Sequence, residues 1–299
     1  MALILFARMP ITAQCYIENG SRKGKRPSND LSPPDTRNQK CAGILTAMIS
    51  QKEKYTSVLK DLCSIIENKS QKLDNRKITV AIAGAGCLGK TTLSRRLRSM
   101  IGPSECQIVS LDAYLLERKT RLKLGQLTGY DPHGFELSRA SRELEILIRH
   151  QKSIVLYQYN RLTHLRDVRE IVRPRRVLIV EGCLALSKPI ICFSDLRIFL
   201  ESGRTTQYAL RLKREQMAFG SGEAEFQSRF IRYYSDYLIY IKPQISVADL
   251  ILLVSQDYGL TTIRHRVSPG CREVEKPETG NIHDHASRAF QQKVNERLA

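Results

Sequence analysis

The sequence predicts an α/β protein built on a parallel sheet with helices on both faces. Three observations carry that expectation. Short, mostly apolar runs recur at 77–83, 107–111, 177–180, 196–200 and 250–254, with 177–180 and 250–254 unbroken; they lack the strict polar alternation of a half-exposed sheet, as strands buried on both faces do. Stretches with apolar residues at helical spacing fall between them. The first run also ends in a glycine-rich turn that opens directly into a helical pattern. At 299 residues the chain can bury a sizeable core, and its length suits one such domain of about 180 to 200 residues with added ends.

Residues 1–40 are basic and carry few acids, with Arg22-Lys23-Gly24-Lys25-Arg26 followed by Ser32-Pro33-Pro34. Disordered tails and organelle-targeting segments share this composition, so targeting stays open. The apolar start at 2–6 is too short for a signal-peptide core and no later run approaches a membrane span, so a soluble, cytoplasmic protein is expected. Residues 41–74 read as a helical lead-in: Ile44, Leu45, Met48, Ile49, Leu59, Leu62, Ile65 and Ile66 predict one or two helices over 42–68, broken by polar turns.

The main domain is expected over 75–255. Strand 77–83 leads through the glycine turn into a helix running to about residue 101, and strand 107–111 ends at Asp112. A long loop over 113–136, a helix over 137–150 with Leu144, Leu147 and Ile148 inward, and a strand over 154–159 follow. Strand 177–180 ends in Glu181-Gly182 and strand 196–200 in Glu201; helices at 204–218 and 226–241 precede the last strand, 250–254. Strands and helices are thus expected to alternate throughout. The tail at 256–299 turns polar, with a helical pattern over 285–297, and there is no internal repeat.

The glycine turn is Gly84-Ala85-Gly86-Cys87-Leu88-Gly89-Lys90-Thr91, with Thr92 following. Glycines let the backbone curl until successive N–H groups point inward, and the helix adds its N-terminal partial positive charge to the same cavity. This is a phosphate cradle, a P-loop. Lys90 would reach the outer phosphates as a mobile cation, and the Thr91 hydroxyl would complete the shell of a Mg²⁺ ion. The same residues satisfy Gly-x-Gly-x-x-Gly, the dinucleotide fingerprint, and Asp112 lies where such folds place a ribose-binding acid. A dehydrogenase needs no Lys-Thr after the last glycine, whereas a triphosphate site needs both, which favours the triphosphate.

The formal net charge of +18 implies acidic partners, and nucleotides, anionic lipids and nucleic acid all qualify. No finger spacing, aromatic-rich basic repeat or heptad run supports a nucleic-acid reader, so neither nucleic acid nor membrane is expected as a partner; a homo-oligomer is compatible with the sequence. The eight cysteines form no Cys-x-x-Cys pair and no Cys/His cluster, which reads as reduced structural thiols. Cys87 stands apart, because a thiol inside a phosphate cradle beside Lys90 can ionise readily.

Phosphoryl transfer asks a protein to align an acceptor oxygen, neutralise charge and help remove a proton. Asp112, at a strand's C-terminal edge, is a candidate base, and Glu181, closing another strand, a candidate for holding Mg²⁺. Arg204, Gln207, Arg211 and Arg214 recur at spacings of three, four and three, one stripe of a helix, which suits equally a clamp over phosphates and a solvated charged face.

Several segments then occur in a telling order: Gly84 to Thr92, Leu111-Asp112-Ala113-Tyr114, Tyr130-Asp131-Pro132-His133-Gly134-Phe135, and Tyr159-Asn160-Arg161-Leu162-Thr163-His164-Leu165-Arg166. Val177 to Gly182, Tyr240-Ile241-Lys242-Pro243 and Ala248-Asp249-Leu250-Ile251 complete the series. Over roughly residues 75–255 the chain resembles the uridine kinase and phosphoribulokinase family of P-loop kinases. That resemblance implies a nucleoside-kinase-like fold with a helical lid, ATP with Mg²⁺ as donor, and a small-molecule hydroxyl as acceptor. It further implies Asp112 as catalytic base, Asp131 as a ligand of the substrate hydroxyl, Tyr159 and His164 at the nucleobase with Arg166 beside them, and Arg211 and Arg214 as lid arginines on the phosphates.

The departures fall in the acceptor pocket and lid. Asn160 replaces the carboxylate of the usual Pro-x-Tyr-Asp, the stretch Asp131 to Phe135 is shortened, and Gln207, Leu210 and Phe219 occupy lid positions that are often basic. The resulting expectation is a kinase whose leading acceptor is a nucleoside such as uridine or cytidine, with another sugar or sugar phosphate as the alternative. A nucleotide-gated GTPase-like switch is the rival from another class, and the sequence offers it no Asn-Lys-x-Asp segment. A binding protein without turnover is a third reading, encouraged by the lid.

Overall fold

The structure, a computed structural model of the chain, describes residues 36–73, 77–125, 127–160, 163–219 and 223–264. Most of the expected basic tail and the helical pattern at 285–297 lie outside them. Two compact units divide the chain, Met1–Thr46 and Ala47–Ala299. Of the first, only the helical residues 36–46 are described.

The lead-in is one continuous helix, α1 (Thr36–Lys72), rather than a broken pair. Val58, Leu59, Leu62 and Ile66 are buried at i, i+1, i+4 and i+8, giving it a core-facing stripe that the intervening polar residues do not interrupt. Strand β1 (Ile78–Gly84) follows, buried along its whole length, then α2 (Lys90–Ile101) and β2 (Cys106–Ser110). Asp112 sits just past β2 in a short 3₁₀ turn, Leu111–Tyr114. The segment expected as a plain loop contains α3 (Arg118–Lys123) and a second 3₁₀ turn, Pro132–Gly134.

After α4 (Leu137–Ile148), strict alternation breaks down. β3 (Ile154–Tyr159) pairs antiparallel with β4 (Arg166–Val172) in a separate two-stranded sheet. β4 reads Arg-Asp-Val-Arg-Glu-Ile-Val, a strand too charged to lie inside the main sheet. β5 (Val177–Glu181), α5 (Lys188–Ile191), β6 (Leu196–Glu201), α6 (Arg204–Phe219) and α7 (Glu223–Asp236) come next. They are followed by β7 (Leu250–Val254) and β8 (Leu260–Arg264), the last absent from the sequence expectation.

The main sheet has the order β2-β5-β1-β6-β7-β8. Its first five strands are parallel, and β8 closes one edge antiparallel to β7. β1 lies in the middle, its Ile82 beside Glu181 of β5 and its Gly84 beside Leu200 of β6. The carboxyl ends of β1, β2 and β5 therefore open on one side, where an open parallel sheet binds ligands. Helix α2 packs against β1, β2 and β5 through the buried Leu93 and Leu97. The pair α6–α7 is the helical lid expected from the sequence, joined by edge-on contacts of Tyr208 with Phe226 at 5.1 Å and Phe230 at 5.0 Å. No helix among the described residues is long and apolar enough to cross a membrane.

Candidate active site

The loop from Gly84 to Gly89 has the conformation its glycines permit. Gly84 takes φ +136° and Gly89 φ +85°, and a Cβ on Gly84 would lie 2.4 Å from the Leu200 carbonyl oxygen, so the first glycine is required by the neighbouring strand as well as by the turn. Cys87 also holds a positive φ of 70°. Gly86 to Leu93 line one cavity of about 590 Å³, within the span of about 300 to 1,000 Å³ of small-molecule sites.

Asp112, Glu181 and Arg214 line the same cavity. Glu181 is 3% exposed, and its Oε1 accepts the Thr91 hydroxyl at 3.1 Å. Burial, and then the charge of Asp112, push the Glu181 pKa above the usual carboxylate range, with Lys90 opposing. Two carboxylates facing one cavity next to a threonine hydroxyl are a donor set suited to a hard divalent cation shared with phosphates and water. No group of three or more His, Cys, Asp or Glu among the described residues could hold a metal ion.

Lys90 is buried, and its Nζ donates to the carbonyls of Gly84 at 3.0 Å and Ala85 at 2.8 Å, with the Cys183 sulfur at 3.7 Å. Meeting a phosphate means leaving those carbonyls. Arg211 and Arg214, one turn apart on α6, part company. Arg214 lines the cavity, whereas Arg211 is turned into a small neighbouring pocket beneath the lid. Its guanidinium lies 3.5 Å from the Tyr233 ring centroid and donates to the Tyr130 hydroxyl at 3.2 Å. That hydroxyl in turn accepts the Gly86 N–H at 2.6 Å, so the lid is tied to the phosphate loop through one oxygen.

None of the residues expected at the acceptor lines this cavity. Asp131 is buried and caps the turn Pro132–Gly134, its Oδ1 accepting the His133 backbone N–H at 3.0 Å and meeting the His133 ring at 2.9 Å. Tyr159 and His164 share a cluster with two arginines of α3 that the sequence reading did not single out. The Tyr159 hydroxyl accepts from Arg121 at 3.1 Å and lies 3.3 Å from His164 Nδ1, while Arg118 lies 3.0 Å from His164 Nε2. Burial first, then both arginines, lower the His164 pKa. Arg166 pairs with Glu136. Of the other strand-end acids, Glu201 bonds Tyr237 and Lys242. The signal for Arg118 and Arg121 was their three-residue spacing inside a segment read as loop.

A parallel sheet, a glycine loop feeding α2 and a cavity at the strand ends define a P-loop α/β protein. Residues 79–260 match the Phosphoribulokinase / Uridine kinase family, and the chain belongs to it. A phosphoribulokinase of Synechocystis sp. is 26% identical over 182 residues, covering 60% of this chain and 54% of that protein. A uridine kinase of Aliivibrio salmonicida is 28% identical over 196 residues, covering 61% and 89%. The chain thus spans about half the length of the phosphoribulokinases it matches and most of that uridine kinase. Among solved structures it is similar to D-glycerate 3-kinase from Cryptococcus neoformans, with TM-score 0.53, 13% identity and coverage of 70% of this chain and 99% of that one. A putative fructose transport system kinase from Silicibacter sp. gives TM-score 0.51 and 22% identity, covering 63% and 94%. At such identities these two likenesses show the fold alone.

Proposed function

We propose that the chain is an ATP-dependent kinase that transfers the γ-phosphate to a hydroxyl of a small molecule, with a nucleoside such as uridine or cytidine the leading acceptor. The observation that carries this reading is the convergence of Lys90, Thr91, Glu181, Asp112 and Arg214 on one cavity. The main-chain amides of 86–91 and the α2 N-terminus bind the phosphate tail. Lys90 exchanges the Gly84 and Ala85 carbonyls for phosphate oxygens, and Arg214 offsets charge spread over the transferred group. Thr91 and Glu181 would hold Mg²⁺, which would supply neutralisation of phosphate charge. Asp112 takes the proton of the acceptor hydroxyl. Arg211 joins Arg214 once released from Tyr130, and Tyr159, His164, Arg166 and Asp131 bind the acceptor.

A second reading, a phosphorylated sugar as acceptor, is favoured by Arg118 and Arg121 beside Tyr159 and a His164 held toward its neutral form. Two guanidiniums suit an anionic substrate better than a neutral base. Purified protein with Mg-ATP, offered uridine, cytidine, ribulose 5-phosphate and other polyols, should yield a product heavier by one phosphoryl unit. The identity of that product separates the two readings. Asp112→Asn should retain ATP binding while turnover falls by about 10²- to 10⁴-fold, the usual contribution of a general base; near-normal turnover would remove the assignment.

A further inference from the structure

Tyr55 lies on α1, outside the family-matched residues 79–260, yet it lines the same cavity as the phosphate loop. The Arg96 guanidinium sits over its ring, 4.6 Å from the centroid, and Arg96 lines the cavity too. Thr92 and Arg96 are four residues apart on α2, hence on one face. One wall therefore runs from the cradle at Lys90 and Thr91 along α2 to Arg96, with Tyr55 behind it. Burial raises the pKa of the Tyr55 hydroxyl despite the opposing charge of Arg96.

A nucleotide gripped by its phosphates at the α2 N-terminus presents its outermost phosphate to Asp112 and Glu181. Its sugar and base must then continue along the cavity away from those carboxylates. A planar cation backed by an aromatic ring is a stacking surface that any base can use. We propose that α1 completes the donor site, Tyr55 and Arg96 together forming the platform on which the base of the bound nucleotide stacks. This rests on the kinase reading above, and it assigns a binding role to a helix that the family-matched segment does not contain.

Calorimetric titration with two probes, Mg-ATP and magnesium tripolyphosphate, separates the base from the phosphates. Wild type should bind both. Tyr55→Leu, which keeps apolar volume under α1, should bind ATP about tenfold more weakly, the scale of one lost base–aromatic stack, and tripolyphosphate within twofold of wild type. Tyr55→Phe should match wild type with both probes. Arg96→Met changes an exposed side chain of α2 and should show the same selective loss should Tyr55→Leu fail to fold. Wild-type ATP affinity in Tyr55→Leu or Arg96→Met, or equal weakening of both probes, would overturn the proposal alone. A wild type that binds neither probe would remove the kinase reading, and this inference with it.

Discussion

Tyr130→Phe removes a single oxygen from the point where the phosphate loop meets the lid. Two donors lose their acceptor: the Gly86 N–H at 2.6 Å and Arg211 Nη1 at 3.2 Å. The losses are unequal. Gly86 is partly exposed and borders the cavity, so water can replace the hydroxyl there. Arg211 is 8% exposed, and a hydrogen bond to such a charged group contributes about 1.5 to 3 kcal/mol. The ring itself stays, including its edge-on contact with Tyr233 at 5.9 Å. The expected loss of stability is therefore about 2 kcal/mol, almost all of it at Arg211, or a fall in Tm of about 4 to 8 °C for a domain of this size. The chain has no tryptophan, so urea unfolding followed by far-UV circular dichroism is the appropriate assay, without nucleotide. Arg211→Met and the double variant complete a cycle. Removing both partners should be milder than the sum of the single losses, with a coupling of about 1 to 2 kcal/mol. A single variant within about 0.5 kcal/mol of wild type, or strict additivity, is at the level of independent sites and would refute the bridge.

Other consequences follow from individual groups. The folded-state pKa of Glu181 is raised, so its protonated form favours folding, and the wild type loses that contribution as pH rises from the unfolded value of about 4.3 through the folded one. Without nucleotide or Mg²⁺, Glu181→Gln should melt with wild type at pH 4 and above it at pH 7; an unchanged gap across that range would contradict the burial argument. Gly84→Ala places a Cβ 2.4 Å from a backbone oxygen of β6, and separating the strands should cost about 3 kcal/mol or more, the severe end of point substitutions, read as loss of the cooperative melt. Burial pushes the Cys106 thiol up to about 12, so iodoacetamide at pH 8.5 should leave it unmodified in the folded protein and label it in urea, as read by peptide mass.

What the sequence made legible follows from how local each constraint is. The strands β1 and β5 announce themselves because both faces are buried, leaving no polar alternation to confuse with a surface strand. The cradle is legible because its glycines, Lys90 and Thr91 act within one turn of chain. β4 and β8 were missed because they lie outside the parallel sheet or at its edge, where exposed faces admit charge and threonine. Glu181 could be placed beside Thr91, 90 residues away, only because strand ends of one sheet share a side. No such rule joins Tyr130 to Arg211 or Tyr55 to Arg96, and those pairings came from packing alone.

The charged groups around the cavity already hold partners within the protein. Lys90 is bonded to loop carbonyls, Glu181 to Thr91, and Arg211 to Tyr130. On the proposed function, phosphate recognition here would be an exchange of partners, its free energy the difference between two sets of charge-assisted bonds rather than the full strength of the new ones. The two lid arginines differ most in this respect. Arg214 already lines the cavity, whereas Arg211 must give up an aromatic stack and a buried hydroxyl before it can reach a phosphate. Engagement of Arg211 therefore becomes favourable only when the charge opposite it is large, and in the proposed reaction charge grows on the leaving oxygen of the donor as its bond to the transferred phosphoryl breaks. An arginine restrained in this way contributes more to turnover than to nucleotide affinity. On that argument Arg214→Ala should raise the dissociation constant for ATP more than Arg211→Ala does, while Arg211→Ala should lower kcat with little change in that constant; the reverse pattern in titration and steady-state kinetics would show that Tyr130 does not restrain Arg211.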